Sequence, residues 1–189
     1  MKTITRAGTY YRVIGPAWSS ALNTGFSKLH GGRWNPRSAF GALYLNATIA
    51  VAAANARHQH AGRAIQLFDL RPSARPRLVD VDVTNANVLD AVTDDGLRAI
   101  GLAANYPYGV PHNQCQPIGA SAYAAGIDGV ACRSAAECTP TTCVGEELAL
   151  FDTFVDGATV AGVPADTVVV TVLGKPRAFD QWYPDPFPP

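Results

Sequence analysis

Read from its start, the chain alternates short β-branched and aromatic runs with alanine-rich ones. Thr9-Tyr-Tyr-Arg-Val-Ile14 stops at Gly15-Pro16, which predicts a strand closed by a turn, with Arg12 projecting from it. From Trp18 to Arg37 periodicity is lost, and Gly31-Gly-Arg-Trp-Asn-Pro36 reads as a loop with Arg33 at its tip. Ala42 to Asn46 predicts a short strand, and Ala47 to His60, alanine-dense and free of Gly and Pro, a buried or half-buried helix. Ala64–Leu70 and Arg77–Val83 are expected to be strands; in the second, Val79, Val81 and Val83 alternate with Asp80 and Asp82. Helices are expected at Asp94–Leu102 and Gln116–Ala125, and strands at Asp128–Ser134, Glu147–Val155 and Ala165–Leu173. Strands and helices mix without a βαβ rhythm, so the expected class is α+β, as one domain over residues 1–189 with a Pro-rich tail from about 175.

Charge narrows the partners. Fifteen Lys and Arg balance fifteen Asp and Glu, so no net positive field draws the protein to nucleic acid or an anionic membrane, and the expected ligand is a small molecule or a protein. No segment reaches the roughly 20 apolar residues of a membrane span and the first residues hold no signal-like apolar core, which makes a cytoplasmic location the expectation. Cys115, Cys132, Cys138 and Cys143 include no C-x-x-C pair; free thiols are expected rather than a disulfide or a metal site, although His112 stands close to Cys115. Glutamate occurs only at 137, 146 and 147.

The candidate chemistry lies in three places. Two glycines before Arg33 let backbone approach a ligand, and a guanidinium offers a planar fork to phosphate. Tyr44 sits on a strand expected to be central, and Ser134 at a strand end. Alone, each is an ordinary loop arginine, core tyrosine or loop serine.

Their order is informative. The strand with Tyr11-Arg12, then Gly-Gly-Arg-Trp-Asn-Pro, then Leu-Tyr-Leu before an alanine-rich helix, then Asp-Gly-Val-x-x-x-Ser, resembles the RES domain from about Tyr11 to about Phe154. That family is named for an Arg, a Glu and a Ser; its Arg matches Arg33, its Ser matches Ser134, and its strand tyrosine matches Tyr44. The resemblance implies a fold similar to the ADP-ribosyltransferase core of diphtheria-type toxins. It further implies a bacterial toxin that cleaves the nicotinamide–ribose bond of NAD, by hydrolysis or phosphorolysis, with NAD as substrate, phosphate as a co-substrate in some members and no tightly bound cofactor. The expected partner is a cognate antitoxin covering the NAD pocket. In that pocket Arg33 and Arg12 would clamp the pyrophosphate beside Gly32, Trp34 and Asn35, Tyr44 would position the nicotinamide ribose, and Ser134 would bond a ribose or carboxamide group.

One position departs from the pattern. The family glutamate belongs about three turns along the helix after Leu-Tyr, which falls at Asn55, between Ala54 and Ala56; no acid occurs from Tyr44 to His60. Loss of nicotinamide builds positive charge on the ribose, and removing one stabiliser of such charge costs about 2.7–4 kcal/mol, roughly a hundred- to a thousandfold in rate. Two alternatives stay open: a weak or inactive RES-fold module that binds NAD or a partner, and an ADP-ribosyltransferase acting on a macromolecule. Glu137, Glu146 and Glu147 are the glutamates available for rescue, and His58 and His60 stand at the helix end where a base would fit or where solvent would take them.

Overall fold

A computed structural model describes residues 1–139 and 141–184. Seven strands form one mixed sheet: β1 (Thr3–Ile14), β2 (Ala42–Asn46), β3 (Arg77–Ala91), β4 (Gly129–Arg133), β5 (Glu146–Phe151), β6 (Val155–Asp156) and β7 (Val169–Arg177). Their order is β1-β2-β5-β4-β3-β7-β6, and β1 also pairs with β3, so five strands close into a ring. The helices are α1 (Gly25–His30), α2 (Ile49–His60), α3 (Asp94–Ala99) and α4 (His112–Ala124). The α+β expectation holds.

The ring has a strong side and a weak one. β1 and β3 stay paired from Thr3↔Leu89 to Ile14↔Arg77, whereas β1 meets β2 at one pair, Tyr11↔Asn46. The Asn46 amide reinforces that seam by donating to Tyr11 O at 2.9 Å. Past it the two strands part, and the gap between them becomes the cleft described below.

Alternation distributes the core. One cluster takes Tyr10 and Ile14, Leu43 and Leu45, Val79, Val81 and Val83, and Leu148 and Leu150. Residues one step out of phase face the opposite side, where they form two separate clusters. Trp34, Ala42, Leu89, Cys132, Ala149 and Phe151 pack with α3 and α4, while Ala52, Ala53 and Ala56 of α2 pack with Leu67, Phe179, Trp182 and Tyr183. The small alanine side chains let α2 lie close on its neighbours, and Thr48 caps it by accepting from Val51 N at 3.1 Å. Between the two clusters the sheet face is polar.

Several expectations change. Ala64–Leu70 is no strand: Leu67–Asp69 form a 3-10 turn, with Gln66 N donating to the Asp69 carboxylate at 2.8 Å. Leu67 is buried and Ile65 exposed, so the run has no single apolar face. The Trp18–Arg37 segment contains α1 rather than loop alone. Cys138 and Cys143 are bridged, against the expectation of four free thiols, with the two residues paired antiparallel and their Cα atoms 4.2 Å apart; Cys115 and Cys132 are free and buried. The first part of the proline-rich tail is ordered as β7 and the docked Phe179–Tyr183 segment, and residues 185–189 lie outside the described ones. Among the described residues no helix is long and apolar enough to cross a membrane.

Candidate active site

A cleft of about 600 Å³ opens where β1 and β2 separate, lined by the end of β1, Trp18, Phe26 and Ser27, β2, α2, apolar residues between Leu67 and Pro76, and one residue of β5. That volume lies within the roughly 300–1,000 Å³ of small-molecule sites. Of the residues singled out in the sequence, Arg12, Tyr44, Asn55, His60 and Glu147 line it. Gly32, Arg33, Trp34, Asn35 and Ser134 are not among its lining residues.

Arg12 enters from β1 and is 8% exposed. Its guanidinium donates to Ala21 O and, at 2.9 Å, to Asn23 O, and lies 5.3 Å from the Trp18 ring. Burial lowers its pKa to about 10, which leaves it a cation at neutral pH. Among the described residues no carboxylate forms an ion pair with it. A buried cation held on carbonyls without a counter-ion favours an anion in the space it faces.

Asn55 and Gln59 lie one turn apart on the same side of α2, and both reach the cleft. Asn55 Nδ2 donates to Asn46 Oδ1 at 2.8 Å. Since the Asn46 amide nitrogen is already used on Tyr11 O, its oxygen is the end left to accept. On the neighbouring strand Glu147 stands in register with Asn46 and lines the cleft, with Oε1 buried and without a hydrogen-bond partner. His60, at the end of α2, also lines the cleft, with Nδ1 buried and unpartnered, whereas His58 is exposed.

Tyr44 joins the cleft to the glycine-rich loop. Its hydroxyl donates to Asn35 Oδ1 at 2.9 Å and accepts from Trp34 N at 3.0 Å, and burial raises its pKa. Asn35, fully buried, spends its amide hydrogens on Ser27 O at 2.8 Å and Phe40 O at 3.1 Å. Gly32 is required because a Cβ there would strike the Tyr44 hydroxyl and lie 2.7 Å from Asn35 Oδ1. The Gly-Gly-Arg-Trp-Asn string is therefore built as a lock on β2.

Arg33 lies outside the cleft lining. Far from a solvated loop tip, it is half-buried, donates to Val110 O at 3.0 Å and lies 5.9 Å from the Tyr106 ring. Ser134 is fully buried with Oγ unpartnered, its amide bonded to Gly145 O at 3.1 Å. A Cβ on Gly145 would collide with Glu137 and lie 2.7 Å from Val51, so these groups converge under the first turn of α2. The arginine pair expected on one pyrophosphate is thus divided between two environments. Sequence reading passed over Asn46; the signal was its alternation with Tyr44 on one strand.

A mixed sheet closed into a ring, parted at one seam and holding there a cleft that mixes apolar walls with a few polar groups, defines the structural class. A similar fold occurs in the crystal structure of the M. tuberculosis MbcT-MbcA toxin-antitoxin complex, at TM-score 0.66 and 29% identity over 79% of this chain and 76% of that one. The NAD(+) phosphorylases MbcT of Mycobacterium bovis and Mycobacterium tuberculosis are 35% identical over 128 residues, which is 68% of this chain and 68% of each relative. The RES domain matches residues 9–171, and the chain belongs to the RES-domain family.

Proposed function

We propose that this chain is the toxin of a bacterial toxin-antitoxin pair and that it cleaves the nicotinamide–ribose bond of NAD in this cleft. Family membership and relatives that carry the name NAD(+) phosphorylase support the activity; phosphate is then the favoured acceptor and water the other. The observation that carries the reading is Arg12, a buried guanidinium without an acidic partner, facing a cleft of dinucleotide scale. NAD brings a pyrophosphate dianion to such a group and presents a cationic nicotinamide at its other end.

Arg12 is assigned to the pyrophosphate, the Tyr44 ring to the floor under the nicotinamide ribose, and Asn55 to a hydroxyl of that ribose. Gly32, Trp34 and Asn35 act by holding Tyr44, and Arg33 by bracing the loop that carries them. The partner is a cognate antitoxin, in keeping with the toxin-antitoxin complex that shares the fold. Phe26, 64% exposed at the cleft wall, and Leu29 beside it offer apolar surface for a protein that covers the mouth.

One observation favours a second reading. Asn55 occupies the helix position on the cleft without a negative charge, as a binding module with little turnover would. Incubating the purified protein with NAD, with and without phosphate, and following free nicotinamide by chromatography separates the cases. Phosphate-dependent release is the expected result. Release in buffer alone marks hydrolysis, and release that needs a protein extract marks ADP-ribosyl transfer to a macromolecule. NAD binding without release establishes the module, and neither binding nor release removes the NAD reading altogether.

A further inference from the structure

Each of the three glutamates of this chain has a distinct environment. Glu146 is taken by Arg6, which meets both its oxygens at 2.6 and 2.9 Å. Glu137 lies under Gly145, beside buried Ser134. Glu147, one residue on from Glu146 and so on the other side of β5, lines the cleft with an unpartnered, buried oxygen. Among the described residues it is the one carboxylate in that lining.

Its position relative to Asn55 is specific. Asn46 of β2 is in register with Glu147 on one side and accepts from the Asn55 amide at 2.8 Å. Asn55 and Glu147 therefore flank a single fixed side chain, one from α2 and one from β5. A buried carboxylate oxygen with no donor is costly to keep, and a catalytic role is one of the reasons for which such an atom is kept.

We propose that Glu147 is the catalytic carboxylate of this chain, acting from β5 in place of the acid that α2 lacks at Asn55; this rests on the NAD-cleaving reading. The C1′–N1 bond breaks with its electron pair passing to the nicotinamide nitrogen, which becomes neutral. The positive charge left on the ribosyl C1′ and ring oxygen is stabilised by the Glu147 carboxylate. Phosphate or water then donates an oxygen lone pair to C1′ and closes the new C–O bond. With water as acceptor, the released proton passes to Glu147 and on to solvent. Nothing is oxidised or reduced.

The test uses the full chain and two readouts. The first is nicotinamide release: Glu147→Gln should lower kcat by a hundredfold or more, with unchanged or raised Tm because an unpaired buried acid is removed, and adding Asn55→Glu to that variant should recover part of the rate. The second is the binding of NAD against NADH, whose dihydronicotinamide is neutral. Wild type should prefer NAD, and Glu147→Gln should lose that preference while binding NADH as before. A Glu147→Gln variant that keeps the wild-type rate and preference overturns the assignment while leaving the function intact. A wild type that releases no nicotinamide yet shows the charge preference, lost in the variant, sinks the enzymatic reading and keeps Glu147 facing the nicotinamide ribose. Lost rate together with lost Tm and equal loss of both ligands shows a structural role and overturns the proposal.

Discussion

Arg12 and Arg33 are both half or more buried, both bonded to backbone carbonyls and both beside an aromatic ring, yet the regions around them do different work. Arg33 closes a packed region: its neighbours Trp34 and Tyr106 are fully buried, and α4 fixes the loop through Gln116, whose amide donates to Gly32 O at 2.9 Å. Arg12 borders open space, where β1 and β2 have parted and aromatic side chains are exposed. The same side chain is enclosed where the protein surrounds it and borders a cleft where the protein stops. The comparison teaches that a dense, distinctive motif can mark a packed lock, while the buried cation that borders the cleft comes from a plain strand.

The contrast is broken most severely in the packed region. Gly119 of α4 lies against Trp34 so closely that a Cβ would collide with its carbonyl oxygen and come within 2.8 Å of its carbonyl carbon. Both partners are backbone, so neither can rotate away. Gly119→Ala should cost about 3 kcal/mol of stability, read as a lower midpoint in urea unfolding. A variant with an unchanged midpoint would show that the loop is not locked to α4.

Next comes the direct exchange of roles. Arg12→Met should weaken NAD binding by about 1.5–3 kcal/mol, the range of a hydrogen bond to a charged group, or roughly ten- to a hundredfold in Kd. Arg33→Met, measured by the same titration, should bind NAD within about twofold of wild type and instead unfold earlier, since Val110 O loses its donor. The opposite outcome, with Arg33→Met failing to bind and Arg12→Met binding normally, would return the clamp to the glycine-rich loop.

Much of this architecture is legible in the chain. Alternation in Val79–Val83 and the alanines of Ala47–His60 locate a strand and a helix that are present, though β3 runs on to Ala91. Resemblance in the spacing of Gly-Gly-Arg-Trp-Asn, Leu-Tyr-Leu and Ser134 leads to the correct family. What escapes is whatever depends on strand pairing. Glu147 is one of two adjacent glutamates, and only the register β2–β5 places it beside Asn46 while Glu146 turns to Arg6. Glycines before an arginine read equally well as close approach to a ligand or to another side chain, and here a close neighbour of Gly32 is Tyr44. The disulfide depends likewise on the antiparallel pairing of Cys138 with Cys143, which sequence spacing alone does not reveal.

Tyr44 belongs to both regions, and it gives the finest test of where one ends. Its ring lines the cleft, but its hydroxyl is fully engaged on the other side, receiving Trp34 N and donating to Asn35 Oδ1. Tyr44→Phe keeps the ring and removes the oxygen, which leaves a backbone N–H and a buried amide oxygen without partners. The expected cost is about 1–2 kcal/mol of stability, seen as a lower Tm, with nicotinamide release per folded molecule close to wild type at low temperature. Because burial raises the hydroxyl pKa and both bonds hold it in the loop, it is not poised to exchange a proton with substrate. A variant that keeps its Tm but loses turnover would reverse that conclusion and move the chemistry to the hydroxyl, since a group used only for packing cannot change the rate without changing the fold.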